Sequence, residues 1–116
     1  MKRPSNKLTM QTVTIFTPVP SLTTKPVNGG DVRTWNKTLL TNVRYTMSED
    51  NALHLTVYDP EKFPSIYIGQ SIIILGAYVP DTPPVEGTDT HYYMITFVKY
   101  NYADNGQLHN IGVDAR

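Results

Sequence analysis

Three histidines, His54, His91 and His109, are the first residues whose chemistry invites a role. Neutral imidazoles converging from neighbouring strands could hold zinc, but zinc ligands usually come in short-range pairs, and the chain has no cysteine to add a thiolate. The spacing therefore reads as surface or structural histidine, and no metal is expected. Gly69-Gln70-Ser71 could pass for a nucleophile elbow, yet it lacks the glycine that should follow the serine, and strand-like residues run on from Ser71. Glu49 with Asp50, or Asp59 with Glu61, could form an acid/base pair. Each pair sits in a turn, where capping and solvation account for it. Tyr92, Tyr93, Tyr100 and Tyr102, four of eight tyrosines, could stack on bases or sugars, or bury area at a protein interface. A base-stacking platform is normally ringed by cations. Here only Lys99 interleaves and Asp104 follows, so the interface reading is preferred.

The stretch "IYIGQSIIILGAYVP", residues 66 to 80, raises one more chemical possibility, a phosphate loop. Such loops place their glycines before a helix, so that backbone N–H groups and the helix dipole face the anion. Everything after Gly69 is β-branched and alternating. Gly69 then reads as a tight turn into a strand, and Gly76 as a bulge or sharp bend within it. Phosphate binding is rejected, and neither a catalytic constellation nor a cofactor is expected.

The elements that would position these residues are strands. "QTVTIFT", residues 11 to 17, alternates, with Val13 and Ile15 on one face. "TLLTNVRYTM", residues 38 to 47, sets Leu39, Val43 and Tyr45 against Asn42, Arg44 and Thr46. The polar turn "SEDN" follows, and then "ALHLTVY" with Leu53, Leu55 and Val57 inward and His54, Thr56 and Tyr58 outward. Asp59 before Pro60 licenses one helical turn, ended by Pro64. "HYYMITFVKYNY", residues 91 to 102, is apolar on both faces, which suits a central strand or one that meets a partner subunit. Asn105-Gly106 turns the chain into a last strand, "LHNIGV". Between these runs lie two proline-rich loops, residues 18 to 32 and 80 to 89. The first is long enough to suggest a binding arm carrying Leu22 and Val27, and the second carries Val85.

Composition bounds what such a domain can do. The chain has 116 residues, which fits one domain, read here as a flexible tail over 1–10 and a single β-domain over 11–116. Ten Lys and Arg balance ten Asp and Glu, which gives no electrostatic case for nucleic acid. Charged residues make up 17% of the chain, sparse for a lone soluble protein, and this suggests surface set aside for partners. The basic start "MKRPSNKLTMQTVTIF" lacks the apolar core of a signal peptide, so synthesis in the cytoplasm is the default. The longest strictly apolar run, Ile72 to Leu75, is far too short for a membrane helix, and no membrane partner is expected. Asn36-Lys37-Thr38 fits a glycosylation sequon, which carries little weight without a secretion signal. The expected fold is all-β: a small barrel or sandwich of about six antiparallel strands, with long proline-rich loops and at most one helical turn.

The order of features resembles the small β-rich minor structural proteins encoded in the head and tail gene clusters of tailed phages and prophages of Gram-positive bacteria. Three short motifs carry the resemblance. The first is W-x-K-T-x-L-x-x-V, here Trp35, Lys37, Thr38, Leu40 and Val43. The second is a G-[DQ]-x-I-x-x-G strand, here Gly69, Gln70, Ile72 and Gly76, with Gln70 where an acidic residue is commoner. The third is a closing hairpin with Ile95, Val98, Gly106, Leu108 and His109. The resemblance spans residues 13 to 113 and implies a non-enzymatic bacteriophage structural protein, a head–tail connector (neck) or minor capsid component. Such a protein would be assembled in the host cytoplasm into the virion as a ring-like homo-oligomer between portal, adaptor or tail proteins, with nucleic acid met only indirectly. Ring contacts are heterologous and need two different patches on each subunit. Interface candidates are Tyr92, Tyr93, Tyr100, Tyr102, Leu22, Val27 and Val85. The alternative is an oligonucleotide-binding barrel that holds single strands on Tyr92, Tyr93, Tyr100 and Lys99.

Overall fold

A computed structural model describes residues 10–19, 34–84 and 90–116. Leu22, Val27, Val85, the tail over 1–9 and most of the first proline-rich loop lie outside the described residues. The fold is all-β, with six antiparallel strands closed into a barrel in the order β1-β2-β3-β6-β5-β4. The strands are β1 (Gln11–Val19), β2 (Thr34–Met47), β3 (Leu53–Val57), β4 (Ile72–Leu75), β5 (Tyr93–Tyr102) and β6 (Leu108–Ala115). Among the described residues, one 3-10 turn, Pro60–Lys62, follows Asp59, which makes no side-chain cap to it.

Alternating apolar residues line the interior, as the two-residue period of a strand demands. Val13, Ile15, Val43, Leu53, Leu55, Val57, Ile73, Ile95, Ile111, Val113 and Ala115 are buried together in one cluster. Closure removes most of the edges that a small sheet would otherwise expose. The β2–β3 hairpin turns through Ser48–Asn51 as expected, where Ser48 N–H donates to Ala52 O at 2.8 Å and Asn51 takes φ +66°. Leu53, Leu55 and Val57 point inward.

Three expectations are corrected by the ladder. Alternation predicts Leu39 on one face with Val43 and Tyr45. Leu39 is half exposed, and Leu40 is buried instead. The cause is a bulge: Gln11 pairs with Val43 but Val13 pairs with Leu40, so β2 spends three residues where β1 spends two. The sequence puts Pro18 in a loop and Thr34–Lys37 before the strand. Both belong to the β1–β2 ladder, with Pro18 opposite Trp35 and Val19 opposite Thr34. Gly76 lies one residue past the end of β4 rather than within it, and its φ of +90° ends the strand.

A second apolar cluster sits outside the barrel. Phe16, Ile72 and Ile74 are buried under Trp35, Tyr78 and Met94. Phe16 meets Trp35 and Tyr78 edge-on at centroid distances of 6.4 and 5.8 Å. Both faces of β1 are therefore buried. The segment after Gly76 is fastened there by Thr14, whose hydroxyl donates to Gly76 O at 2.9 Å and accepts from Tyr78 N–H at 3.0 Å. Farther along, Lys37 Nζ donates to Val79 O at 2.7 Å.

Candidate functional site: an aromatic strand edge

β4 has only four residues, and its brevity shapes the surface that matters most. It pairs with β5 at Ile73–Tyr93 and Ile72–Met94. One more step is closed by the turn before β4, where Ile95 N–H donates to Ser71 O and Gly69 N–H donates to Ile95 O, both at 2.9 Å. The turn needs Gly69 because its φ is +83°, a region that side chains with a β-carbon rarely enter. Ser71 is fully buried there. Its Oγ accepts from Tyr67 N–H at 2.9 Å and donates to Thr17 Oγ1 at 3.2 Å. The residue most easily mistaken for a nucleophile is thus a structural tie.

Beyond Ile95, β5 continues for seven residues while β4 does not. Among the described residues, Thr96–Tyr102 has a strand neighbour only on its β6 side. An unpaired edge offers a row of backbone donors and acceptors to another strand. Proteins commonly blunt such edges with charge or proline; this one carries Lys99 alone. Phe97, Tyr100 and Tyr102 are 55%, 49% and 64% exposed, and Tyr67 and Ile68 of the adjoining turn are 40% and 54% exposed. Those five are half of the ten large hydrophobic side chains exposed among the described residues, so apolar surface is concentrated at this edge. An open cleft of about 280 Å³ runs between turn and strand, lined by Ile66, Ile68, Thr96, Phe97, Val98 and Tyr100.

The strand divides the tyrosines singled out by sequence. Tyr100 and Tyr102 belong to the free edge. Tyr93 packs on the barrel core and meets the His91 ring at 4.6 Å, and Tyr92 is 38% exposed just before the strand. Tyr93 and Tyr100 are seven positions apart, roughly 23 Å along a strand. Lys99 and Tyr100, as neighbours in sequence, point to opposite faces. Tyr92, Tyr93, Lys99 and Tyr100 therefore do not share one platform. Phe97 and Ile68, which sequence reading does not single out, line the cleft with Tyr100. Phe97 is turned outward by a bulge at Ile95–Phe97, where β5 advances two residues against one of β6. Gly106 closes the hairpin that carries the edge, donating its N–H to Ala103 O at 2.9 Å.

The ionisable residues are dispersed. His54 Nδ1 lies 2.7 Å from Asp114 Oδ1 across β3 and β6, both side chains about half exposed. His91 and His109 lie elsewhere, and among the described residues no group of three His, Asp or Glu could hold a metal ion. Asp50 is held below the usual carboxylate pKa, first by the Ser48 hydroxyl, then by its own backbone N–H, with smaller contributions from Ala52 N–H and the Arg116 charge. Asp59 faces Lys62 at 3.9 Å, and Glu49 and Glu61 sit on exposed turns. No described helix is long and apolar enough to cross a membrane. No family model matches the chain, and no curated protein or solved structure matches it either.

Proposed function

We propose that the chain is a non-enzymatic assembly subunit of a tailed-phage virion, a head–tail connector or minor capsid component that works by protein–protein contact. The single observation that carries the assembly part of this reading is the aromatic strand edge Thr96–Tyr102. Its backbone is free on one side among the described residues, and its exposed rings and cleft supply area for a partner. Extended partners add to such edges through main-chain hydrogen bonds, with pockets for alternate side chains setting specificity. The virion part rests on the resemblance carried by Trp35, Lys37, Thr38, Leu40, Val43, Gly69, Ile72 and Gly76. In the fold these residues build β2, the β4 turn and the bend after it.

On this reading Tyr100, Tyr102 and Phe97 contact a neighbouring subunit, and the barrel is the rigid frame that presents them. Native mass spectrometry of the purified chain, alone and mixed with the portal, adaptor and tail proteins of its own gene cluster, tests it. Ring-sized homo-oligomers or a defined complex with one of those proteins is the expected result. A chain that neither self-assembles nor binds any of them refutes it.

A further inference from the structure

We propose that the segment from Tyr78 to Asp81 is a hinged strap, latched by Lys37, that opens at Gly76 without unfolding the barrel and bares one flank of Phe16. The proposal stands apart from the assembly reading, since it uses neither the β5 edge nor a partner.

The hinge follows from the way β4 ends. Gly76 N–H still donates to Thr12 O of β1 at 2.8 Å, so the chain belongs to the sheet up to that atom. Its φ of +90° then turns the chain off the ladder. Among the described residues, Ala77–Asp81 makes no backbone–backbone hydrogen bond. Side chains hold the strap instead. Thr14 Oγ1 accepts Tyr78 N–H at 3.0 Å, the Tyr78 ring meets Phe16 edge-on at 5.8 Å, and Lys37 Nζ donates to Val79 O at 2.7 Å. A ladder strand leaves only by breaking its neighbours' bonds as well, whereas a segment held by side chains can open by itself.

The latch reads backbone, not side chain. Val79 gives its carbonyl to Lys37 while the residue stays 84% exposed, so apolar burial does not hold it down. Asp81 lies 3.9 Å from the same ammonium, but its carboxylate is almost fully exposed, and a pair so open to water is worth little. The far end of the strap therefore hangs on one charge-assisted hydrogen bond from a largely buried lysine.

The ladder puts this lysine where a latch is needed. Lys37 stands opposite Phe16 in the β1–β2 register, and Trp35, two residues earlier, shares its face. Phe16 is fully buried under Trp35 and Tyr78. An open strap takes the Tyr78 ring away and uncovers aromatic surface, while the inner core built on Val13 and Ile15 stays intact. Trp35, Lys37 and Gly76, which the sequence analysis quotes in two separate motifs, meet in this one device.

Native-state hydrogen exchange followed by NMR on the full chain, in water and in urea below the unfolding transition, tests the strap. Tyr78 N–H should exchange through an opening insensitive to urea, with a protection factor at least about tenfold below those of Gly76 N–H and of Ile95 N–H, which donates to Ser71 O at 2.9 Å. Lys37→Met should lower the Tyr78 protection roughly tenfold further and leave the other two unchanged. Asp81→Asn should change it by less than about twofold. A Tyr78 amide that exchanges in step with Gly76 or Ile95 overturns the hinge. Unchanged Tyr78 protection in Lys37→Met, or an equal loss in Asp81→Asn, overturns the latch.

Discussion

Replacing Gly76 with alanine adds a single carbon at the bend that ends β4, and the structure says what that carbon costs. A β-carbon built there meets nothing within 4 Å, so no steric clash enters. The cost is conformational: φ is +90°, and holding an L side chain in the left-handed region costs about 1–2 kcal/mol. Unfolding entropy of about 2.1 cal/mol/K per residue gives about 0.24 kcal/mol/K for 116 residues, so the expected fall in Tm is about 4–8 °C. Gly112 is the internal control. Its φ lies outside the left-handed region, and its β-carbon would stand 3.9 Å from Asn101 Nδ2, an ordinary contact. Gly112→Ala should therefore be neutral or stabilise by a few tenths of a kcal/mol, by restricting the unfolded chain. Thermal melts followed by circular dichroism compare the two. Gly76→Val should melt lower still, because branching at Cβ deepens the strain. If Gly76→Ala melts with wild type, or no lower than Gly112→Ala, the bend is not the constraint described here.

Three further outcomes follow from the polar ties. Ser71→Ala should lower stability by about 1–3 kcal/mol in urea titration, because it leaves Tyr67 N–H without its acceptor beside a buried hydroxyl; wild-type stability would contradict the structural role. Thr14→Val keeps the shape but removes both ties to Gly76 and Tyr78, at about 1–3 kcal/mol; the segment over the outer cluster should loosen. Emission from the single tryptophan, Trp35, which packs on the same Phe16 ring as Tyr78, should shift to the red, and an unchanged spectrum would count against that fastening. The folded-state pKa of Asp50 is depressed, so its contribution to stability is present above the ordinary carboxylate value of 3.8 and is lost as pH falls through the lower folded value. Tm of Asp50→Asn should therefore fall less than wild type between pH 5 and pH 2, and parallel curves would show that Ser48 and Arg116 do not hold the carboxylate.

Periodicity makes β3 legible in the sequence, because it buries one face and wets the other, whereas β6 is announced by the Asn105-Gly106 turn before it. Leu53, Leu55 and Val57 could be assigned without knowing their partners. The same rule failed at Leu39, since a bulge resets the alternation and its position depends on the residues of β1 across the ladder. It failed differently at Phe16. Alternation puts Val13 and Ile15 on one face of β1 and says nothing of what covers the other, where Trp35 and Tyr78, distant in sequence, pack on Phe16. Pro18, which the prolines and glycines after it put in a loop, sits near the end of β1, where one ladder side has run out and a missing N–H costs little. The candidate site was legible in part. Tyr100 and Tyr102 stood out by composition, but their separation from Tyr93 follows from the short β4, and the outward turn of Phe97 from a bulge that no local pattern announces. The His54–Asp114 pair, sixty positions apart, needed the β3–β6 register.

On the proposed function, the barrel presents its aromatic strand edge to other subunits of a virion. Negative-stain microscopy of purified portal rings mixed with wild-type chain, and separately with the Tyr100→Lys, Tyr102→Lys variant, tests it most directly. An added ring of density on the portal, or on a portal–adaptor complex, is expected with wild type, and its loss with the variant. Bare portals and bare complexes with the wild-type chain, or full decoration by the variant, would contradict it.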